Sequence, residues 1–243
     1  MERSASDLLI VMPVYNEETA IVRVVTEWVA ELSRHHISWS LLLIDDGSRD
    51  GTPHAIDALA SEFGSRVQVV HQKNRGHGQS CLRGYRAAIE RGFAYVMQID
   101  SDWQCDPRFF GELWSRRHTF DVIYGRRVRR DDGRRRQFAS FVLKLLVRLR
   151  TGARCVDPNV PYRLMRTSVL PLAIDRIPAD FFLANVALAV LLARESQLRH
   201  GTVPIHFRNR DGGSPSVRLG QFVFRARQLS RQLGQLGAAP MAQ

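Results

Sequence analysis

Val96-Met97-Gln98-Ile99-Asp100-Ser101-Asp102-Trp103-Gln104-Cys105-Asp106-Pro107 rises from an apolar run to two acidic residues spaced by one, adds an amide at the same spacing, and stops at a proline. Side chains two apart in an extended chain point the same way. Asp100, Asp102 and Gln104 therefore offer their oxygens to one point, provided the strand runs on past Asp100. Hard divalent cations take such donors, and Mg2+ uses few protein carboxylates, keeping its other positions for water and substrate phosphates. The alternative is a strand end followed by a solvated acidic turn.

Outward from this segment the chain alternates. Leu8-Leu9-Ile10-Val11-Met12 reads as a buried strand halted by Pro13, after which Ile21, Val24, Val25, Trp28, Val29 and Leu32 share one helical face. Leu41-Leu42-Leu43-Ile44 is a second strand, running into Asp45-Asp46-Gly47-Ser48-Arg49-Asp50-Gly51-Thr52. A helix over Pro53 to Phe63, a strand at Val67-Gln68-Val69-Val70, the loop Asn74-Arg75-Gly76-His77-Gly78-Gln79 and a helix over Ser80 to Glu90 lead to the fourth strand, Tyr95 to Ile99. Strands apolar on both faces and alternating with helices predict an α/β fold, a three-layer sandwich around a mostly parallel sheet. Ligands in such sheets bind beyond the carboxyl ends of the strands, and Tyr15, Asp46 and Asp100 each sit just past one. Taken singly, Asp-Gly-Ser and Asp-Gly-Thr are also ordinary turn and cap sequences. The glycines around His77 fit a plain loop as well as a phosphate cradle, and His77 itself reads as loop chemistry rather than a ligand.

A chain of 243 residues suits one α/β domain or a domain with an appendage. Its net charge of +11 and pI near 10.6 point to an anionic partner: nucleic acid, a phosphorylated substrate or an anionic membrane. Arginine carries nearly all of it, since Lys73 and Lys144 are the only lysines, and arginine suits bidentate phosphate binding. Cys81, Cys105 and Cys155 are scattered without metal spacing, which predicts a reduced, cytosolic setting. The N-terminus lacks signal-peptide features. The longest apolar run, Phe181 to Ala193, falls short of the roughly 20 residues a membrane span needs, so no transmembrane helix is expected. No RNP pattern, zinc spacing or basic zipper is present, which argues against nucleic acid.

Four segments, Val11-Met12-Pro13-Val14-Tyr15-Asn16-Glu17-Glu18, Ile44 to Thr52, Asn74 to Gly78 and Gln98 to Gln104, follow one another in an order and spacing that resembles the family 2 glycosyltransferases of GT-A fold. The nearest branch is that of the dolichol-phosphate mannosyltransferases and polyprenyl-phosphate glycosyltransferases, and the likeness covers about residues 8 to 218. It implies a Rossmann-like GT-A domain over 1–218, containing an amphipathic interface helix at 138–151, and a C-terminal amphipathic helix with a mobile tail over 219–243. It further implies that Pro13, Tyr15 and Glu17 line the nucleotide pocket with Ile44 and Asp46 against the base, while Asp100 and Ser101 approach the ribose and diphosphate. Asp100, Asp102 and Gln104 would hold Mg2+ or Mn2+. Val122-Ile123-Tyr124-Gly125-Arg126 resembles the family strand ending in Gly-Ser-Arg, making Arg126 the phosphate arginine, and Asp157-Pro158-Asn159-Val160-Pro161-Tyr162-Arg163 resembles an acceptor-side segment. Val160-Pro161 stands where that segment has Ser-Gly. Arg208 to Ser214 resembles a late Arg-x-x-Gly-x-Ser-Lys motif with Pro215 in place of its lysine, leaving donor-phosphate contact to Arg210 or Arg218.

Two basic amphipathic stretches bear on the acceptor. Arg126 to Arg136 holds seven arginines, and beyond it Phe138, Phe141, Val142, Leu145, Leu146 and Leu149 form a helical stripe. Leu219, Phe222, Val223, Ala226, Leu229, Leu233 and Leu236 repeat the style. Such helices either pack on the domain or lie in a bilayer interface. The expected activity is metal-dependent transfer of a mannose- or glucose-type hexose, with inversion, from a GDP- or UDP-sugar to a polyprenyl or dolichyl phosphate. The chain would be peripheral on the cytoplasmic face of an anionic membrane. Asp102 and Arg126 would act on the leaving diphosphate. If a saccharide or other lipid hydroxyl is the acceptor instead, Asp157 is the first carboxylate to serve as base. A basic nucleic-acid-binding protein is the remote alternative.

Overall fold

The computed structural model describes residues 7–129, 133–181, 183–208 and 219–238. Its strands are β1 (Leu8–Val14), β2 (Trp39–Asp45), β3 (Val67–His71), β4 (Tyr95–Gln98), β5 (Val122–Arg129), β6 (Arg163–Arg166) and β7 (His200–His206). They form one sheet in the order β3-β2-β1-β4-β6-β5-β7. β3, β2, β1 and β4 run parallel, β6 is antiparallel to both β4 and β5, and β5 and β7 are parallel again. Every residue of β1 is buried, as the sequence of a central parallel strand requires.

The connecting helices are α1 (Ile21–Leu32), α2 (Thr52–Phe63) and α3 (His77–Glu90). Strand order grows in one direction from β1 to β3 and then jumps back to β4. Right-handed crossovers therefore put α1 and α2 on one face and α3 on the other. The order reverses between β1 and β4, and a crevice forms beyond their carboxyl ends at such a switch point. Short helices α4 (Phe110–Ser115) and α6 (Pro171–Ile174) follow, with α5 (Gly133–Thr151), α7 (Ala184–Arg194) and α8 (Leu219–Ala238). α7 is the apolar run noted above, and its residues Ala184 to Leu192 are all buried.

The stripe on α5 divides into two rows. Val147 is buried, with Leu143 and Leu146 against the core, whereas Phe141, Leu145 and Leu149 face solvent. α8 docks through Leu229, Leu233 and Leu236. The Arg150 guanidinium donates to the Ser230 carbonyl (3.0 Å) and that of Arg194 to the Leu236 carbonyl (2.7 Å). The side chains of Phe138, Leu219, Phe222, Val223 and Ala226 and the tail beyond 238 lie outside the described residues.

α3 lies so close to β1 that only glycine fits at position 84: a Cβ there would stand 2.1 Å from Val11 Cγ1. Gly84→Ala is expected to lose about 1–3 kcal/mol by overpacking, seen as a lower urea midpoint with unchanged slope.

Candidate active site

Three loops meet at the carboxyl edge of the sheet. The turns after β1 and β2 interlock: Ser48 Oγ accepts from the Asn16 amide (3.0 Å), Asn16 Oδ1 from the Arg49 amide (2.8 Å), and Thr52 Oγ1 from the Glu17 amide (2.8 Å). Pro13 is buried in β1, and Tyr15, just past its end, is 45% exposed with its ring available to a ligand. Asp46 is buried and accepts from the amides of Arg75 and Gly76, both at 2.8 Å, and from Gln72 Nε2 at 2.7 Å. It ties the glycine loop before α3 to β2. Gly47, at φ 74°, permits the tight path beneath that loop, where a Cβ would stand 2.9 Å from the Asn74 nitrogen. Ile44 is wholly buried and lines a groove of about 440 Å3 with Val70, Gln72, Arg75 and Arg83.

The acidic segment departs from the expected strand. β4 ends at Gln98, the chain bends over Ser101 to Trp103, and Trp103 takes a left-handed φ of 65°. Strand alternation therefore does not align Asp100, Asp102 and Gln104. The bend instead leaves Asp100 and Asp102 both near the buried Cys105, whose thiol is pushed well up by burial and then by those two charges. Asp102 Oδ1 accepts from the Gln104 amide (3.2 Å), and the Gln104 side-chain NH2 donates to the Arg208 carbonyl (3.1 Å). Ser101 is buried in the bend.

His77, first residue of α3, brings Nε2 to 3.0 Å from Asp100 Oδ1. Burial works against charge on either partner, but the neighbouring Cys81 and Asp100 raise His77 well above its ordinary value. Burial likewise pulls Asp100 upward, yet His77, then Arg127 and Arg163, hold its carboxyl below the usual range. His77 is thus bound into the site, contrary to its reading as simple loop chemistry. Behind it, Gln98 Nε2 donates to Asp100 Oδ1 (3.1 Å) and Tyr85 OH donates to Gln98 Oε1 (3.2 Å). This interior polar chain had no periodic signal in the sequence.

The arginine that β5 turns toward the acidic end is Arg127. Arg126 stands opposite Pro204 of β7 and is exposed, so alternation sends the next side chain the other way. Arg127 Nε lies 3.5 Å from Asp157 Oδ2, and its guanidinium covers the Phe207 ring at 4.4 Å. Asp157 is buried beside that cation. Val122 to Gly125 are buried on both faces, so the sequence offered no alternation by which to choose between adjacent arginines. Arg163 is fully buried and donates to the carbonyls of Val160 (2.7 Å), Asn185 (3.1 Å) and Pro158 (3.3 Å), which fixes the 157–162 loop despite its Val-Pro sequence. A cavity of about 400 Å3 opens there between His77, Asn159, Phe181 and Asn185. Arg210, Ser214, Pro215 and Arg218 lie outside the described residues.

Among the described residues no three His, Cys, Asp or Glu side chains form a metal cage. Two carboxylates and an amide on one bend are nevertheless hard oxygen donors, a set that fits Mg2+ or Mn2+ when phosphates complete the coordination.

A family model described as glycosyl transferase family 2 matches residues 9–172. That is more than half of the chain, and the chain belongs to this family. Curated relatives from Salmonella paratyphi A and Salmonella dublin, each an undecaprenyl-phosphate 4-deoxy-4-formamido-L-arabinose transferase, are 28% identical over 210 residues. The match takes in 84% of this chain but 60% of theirs, so the relatives are longer. Glucosyl-3-phosphoglycerate synthase from Mycobacterium tuberculosis, solved with Mn2+, UDP-glucose and phosphoglyceric acid, superposes with a TM-score of 0.70 at 21% identity. It covers 97% of this chain and 81% of its own, and confirms the GT-A fold.

Asp46→Asn replaces one of two carboxylate oxygens that together accept from three donors. It is expected to cost about 1–3 kcal/mol and to speed hydrogen exchange at the Arg75 and Gly76 amides, read by NMR or mass spectrometry.

Proposed function

We propose that the chain is an inverting hexosyltransferase moving a mannose- or glucose-type sugar from a GDP- or UDP-sugar to a polyprenyl or dolichyl phosphate at the cytoplasmic face of a membrane. The observation that carries this reading is the meeting of Tyr15, Asp46 and the Asp100–Gln104 bend at the reversal point of the sheet, in a member of family 2. Tyr15 gives the base a face to stack on. Asp46, with Pro13, Glu17 and Ile44 around it, keeps the glycine loop in place beside the nucleotide. Asp100, Asp102 and Gln104 would hold Mg2+ or Mn2+, which supplies charge neutralisation to the leaving diphosphate. Arg127 takes the phosphate role first assigned to Arg126, because it is the cation facing Asp100, and Arg210 is the further candidate.

A phosphate monoester has its second pKa near 6 and is mostly dianionic at neutral pH. It attacks without a general base. A hydroxyl acceptor needs one, and Asp157 is held against Arg127 at 3.5 Å, an arrangement that suits it better to orienting than to taking a proton. The names of the curated relatives favour the lipid phosphate.

Access to a lipid fits the surface of α5 and α8. Neither helix contains an acidic residue. Phe141, Leu145 and Leu149, exposed by 63%, 45% and 71%, form one row at four-residue spacing, with Arg148 and Arg154 exposed nearby. No helix is long and apolar enough to cross a membrane among the described residues, so this row is the means of attachment proposed for the segment.

Thermal-shift titration with GDP-mannose, UDP-glucose and UDP-N-acetylglucosamine, each with and without Mn2+, tests the donor reading, since a ligand of the native state raises apparent stability. One nucleotide sugar is expected to stabilise the protein more strongly with metal than without, and Asp102→Ala to abolish that difference; no response to any donor sinks the reading. Serine at 141, 145 and 149 together is expected to weaken binding to phosphatidylglycerol vesicles about a hundredfold, measured by co-sedimentation, with donor binding intact.

A further inference from the structure

Trp103 sits between two of the residues assigned to the cation, Asp102 and Gln104, in a left-handed conformation that a bulky side chain rarely adopts. Something must hold it there. Two guanidinium groups lie against its ring, Arg23 of α1 at 3.8 Å from the centroid and Arg208 at 4.8 Å. Its indole N–H donates to both oxygens of Glu27, at 3.2 and 3.3 Å. Glu27 also accepts from Arg23 Nε (3.2 Å) and from Arg208 Nη1 (2.5 Å). Arg208 uses its other terminal nitrogen on the buried Asp106 (3.1 Å), which in turn holds Arg108 and caps the turn at Pro107. The main chain repeats the link: the Arg208 amide donates to the Gln104 carbonyl (3.2 Å), and Cys105 pairs with Phe207 as an antiparallel bridge.

We propose that Trp103, clamped by Glu27, Arg23 and Arg208, is the positioning residue of the acidic bend. It sets the directions of Asp102 and Gln104, and through them the affinity for the cation. This rests on the metal role given to those residues above. The clamp acts because its residue is covalently between two ligands: any turn of the Trp103 backbone out of the left-handed well swings both neighbours. An aromatic ring in contact with two cations and held at its N–H by a carboxylate has little freedom to turn. The arrangement spans three parts of the chain, α1, the bend and the end of β7, so the cation site depends on residues distant from it in sequence.

The test measures Mn2+ rather than turnover. UDP and GDP binding are followed by calorimetry at increasing Mn2+, and the Mn2+ concentration giving half of the metal-dependent signal is compared among folded variants. Trp103→Leu, which keeps bulk but loses the ring, and Glu27→Gln, which keeps shape but loses charge, are expected to raise that concentration about tenfold. Metal-free nucleotide affinity is expected to stay unchanged. Trp103→Phe, retaining the stack without the N–H, should fall between Trp and Leu. Should Trp103→Leu fail to fold, Glu27→Gln alone carries the comparison, its side chain lying on the surface of α1. An unchanged Mn2+ midpoint in the folded variants, or a parallel loss of metal-free and metal-dependent binding, overturns the proposal and leaves the clamp a stabilising contact only. Asp102→Ala separates the two layers of inference. If it loses Mn2+ dependence while the clamp variants keep it, the clamp fails alone; if it retains Mn2+ dependence, the metal assignment fails and takes the clamp with it.

Discussion

Arg163 carries a positive charge into the interior, where it has no exposed surface. An isolated buried cation is prohibitively unfavourable, and such a group persists only when hydrogen bonds and opposite charge surround it. The chain meets this with the carbonyls of Pro158, Val160 and Asn185 and with the field of Asp100, whose carboxyl it helps keep ionised against the pull of burial. The requirement runs both ways. Three carbonyls from two segments must stay pointed at one guanidinium, so the loop at 157–162, the start of α7 and the tip of β4 hold a common arrangement. Losing the arginine would take a shared donor from those carbonyls and remove a cation from the neighbourhood of the acidic bend.

Around that fixed point the site is assembled from loops with low intrinsic order. The turns after β1 and β2 hold each other through side-chain to backbone bonds, and the glycine loop hangs on Asp46. Loops without a ladder of their own are held in this way by side chains of their neighbours, which accept from their backbone amides. Asp45 shows the same economy. Burial pushes its carboxyl upward, but hydrogen bonds from His71 and Ser48 outweigh that and leave it lowered. The adjacent carboxylates thus have separate tasks, one joining β2 to the end of β3 and the other fixing the loop before α3.

Much of the fold could be read from the sequence because β1 and β2 are uninterrupted apolar runs and α1 has a clean helical face. The carboxyl ends of those strands located the site for the same reason. What escaped was everything set by a single backbone angle or by contacts between distant segments. The bend at Trp103 depends on Glu27 and Arg208, which lie 76 residues before it and more than a hundred after it, and no local pattern announces a left-handed tryptophan. The resemblance of Val122 to Arg126 to a strand ending in Gly-Ser-Arg points to Arg126, and only the pairing of β5 with β7 shows that Arg127 is the one turned toward the acidic bend. The stripe on α5 was legible as apolar, but which residues face inward is settled by how α8 lies against it.

The reversed strand β6 has a consequence of its own. It joins a four-stranded parallel block, β3-β2-β1-β4, to the β5–β7 pair through only a few ladder bonds on each side. The block that carries the interlocked loops after β1 and β2 is complete before β6 is reached, and the family match stops at residue 172, short of α7, β7 and α8. Because β6 runs against both of its neighbours, a slip of its four residues would carry β5 and β7 together along the edge of β4.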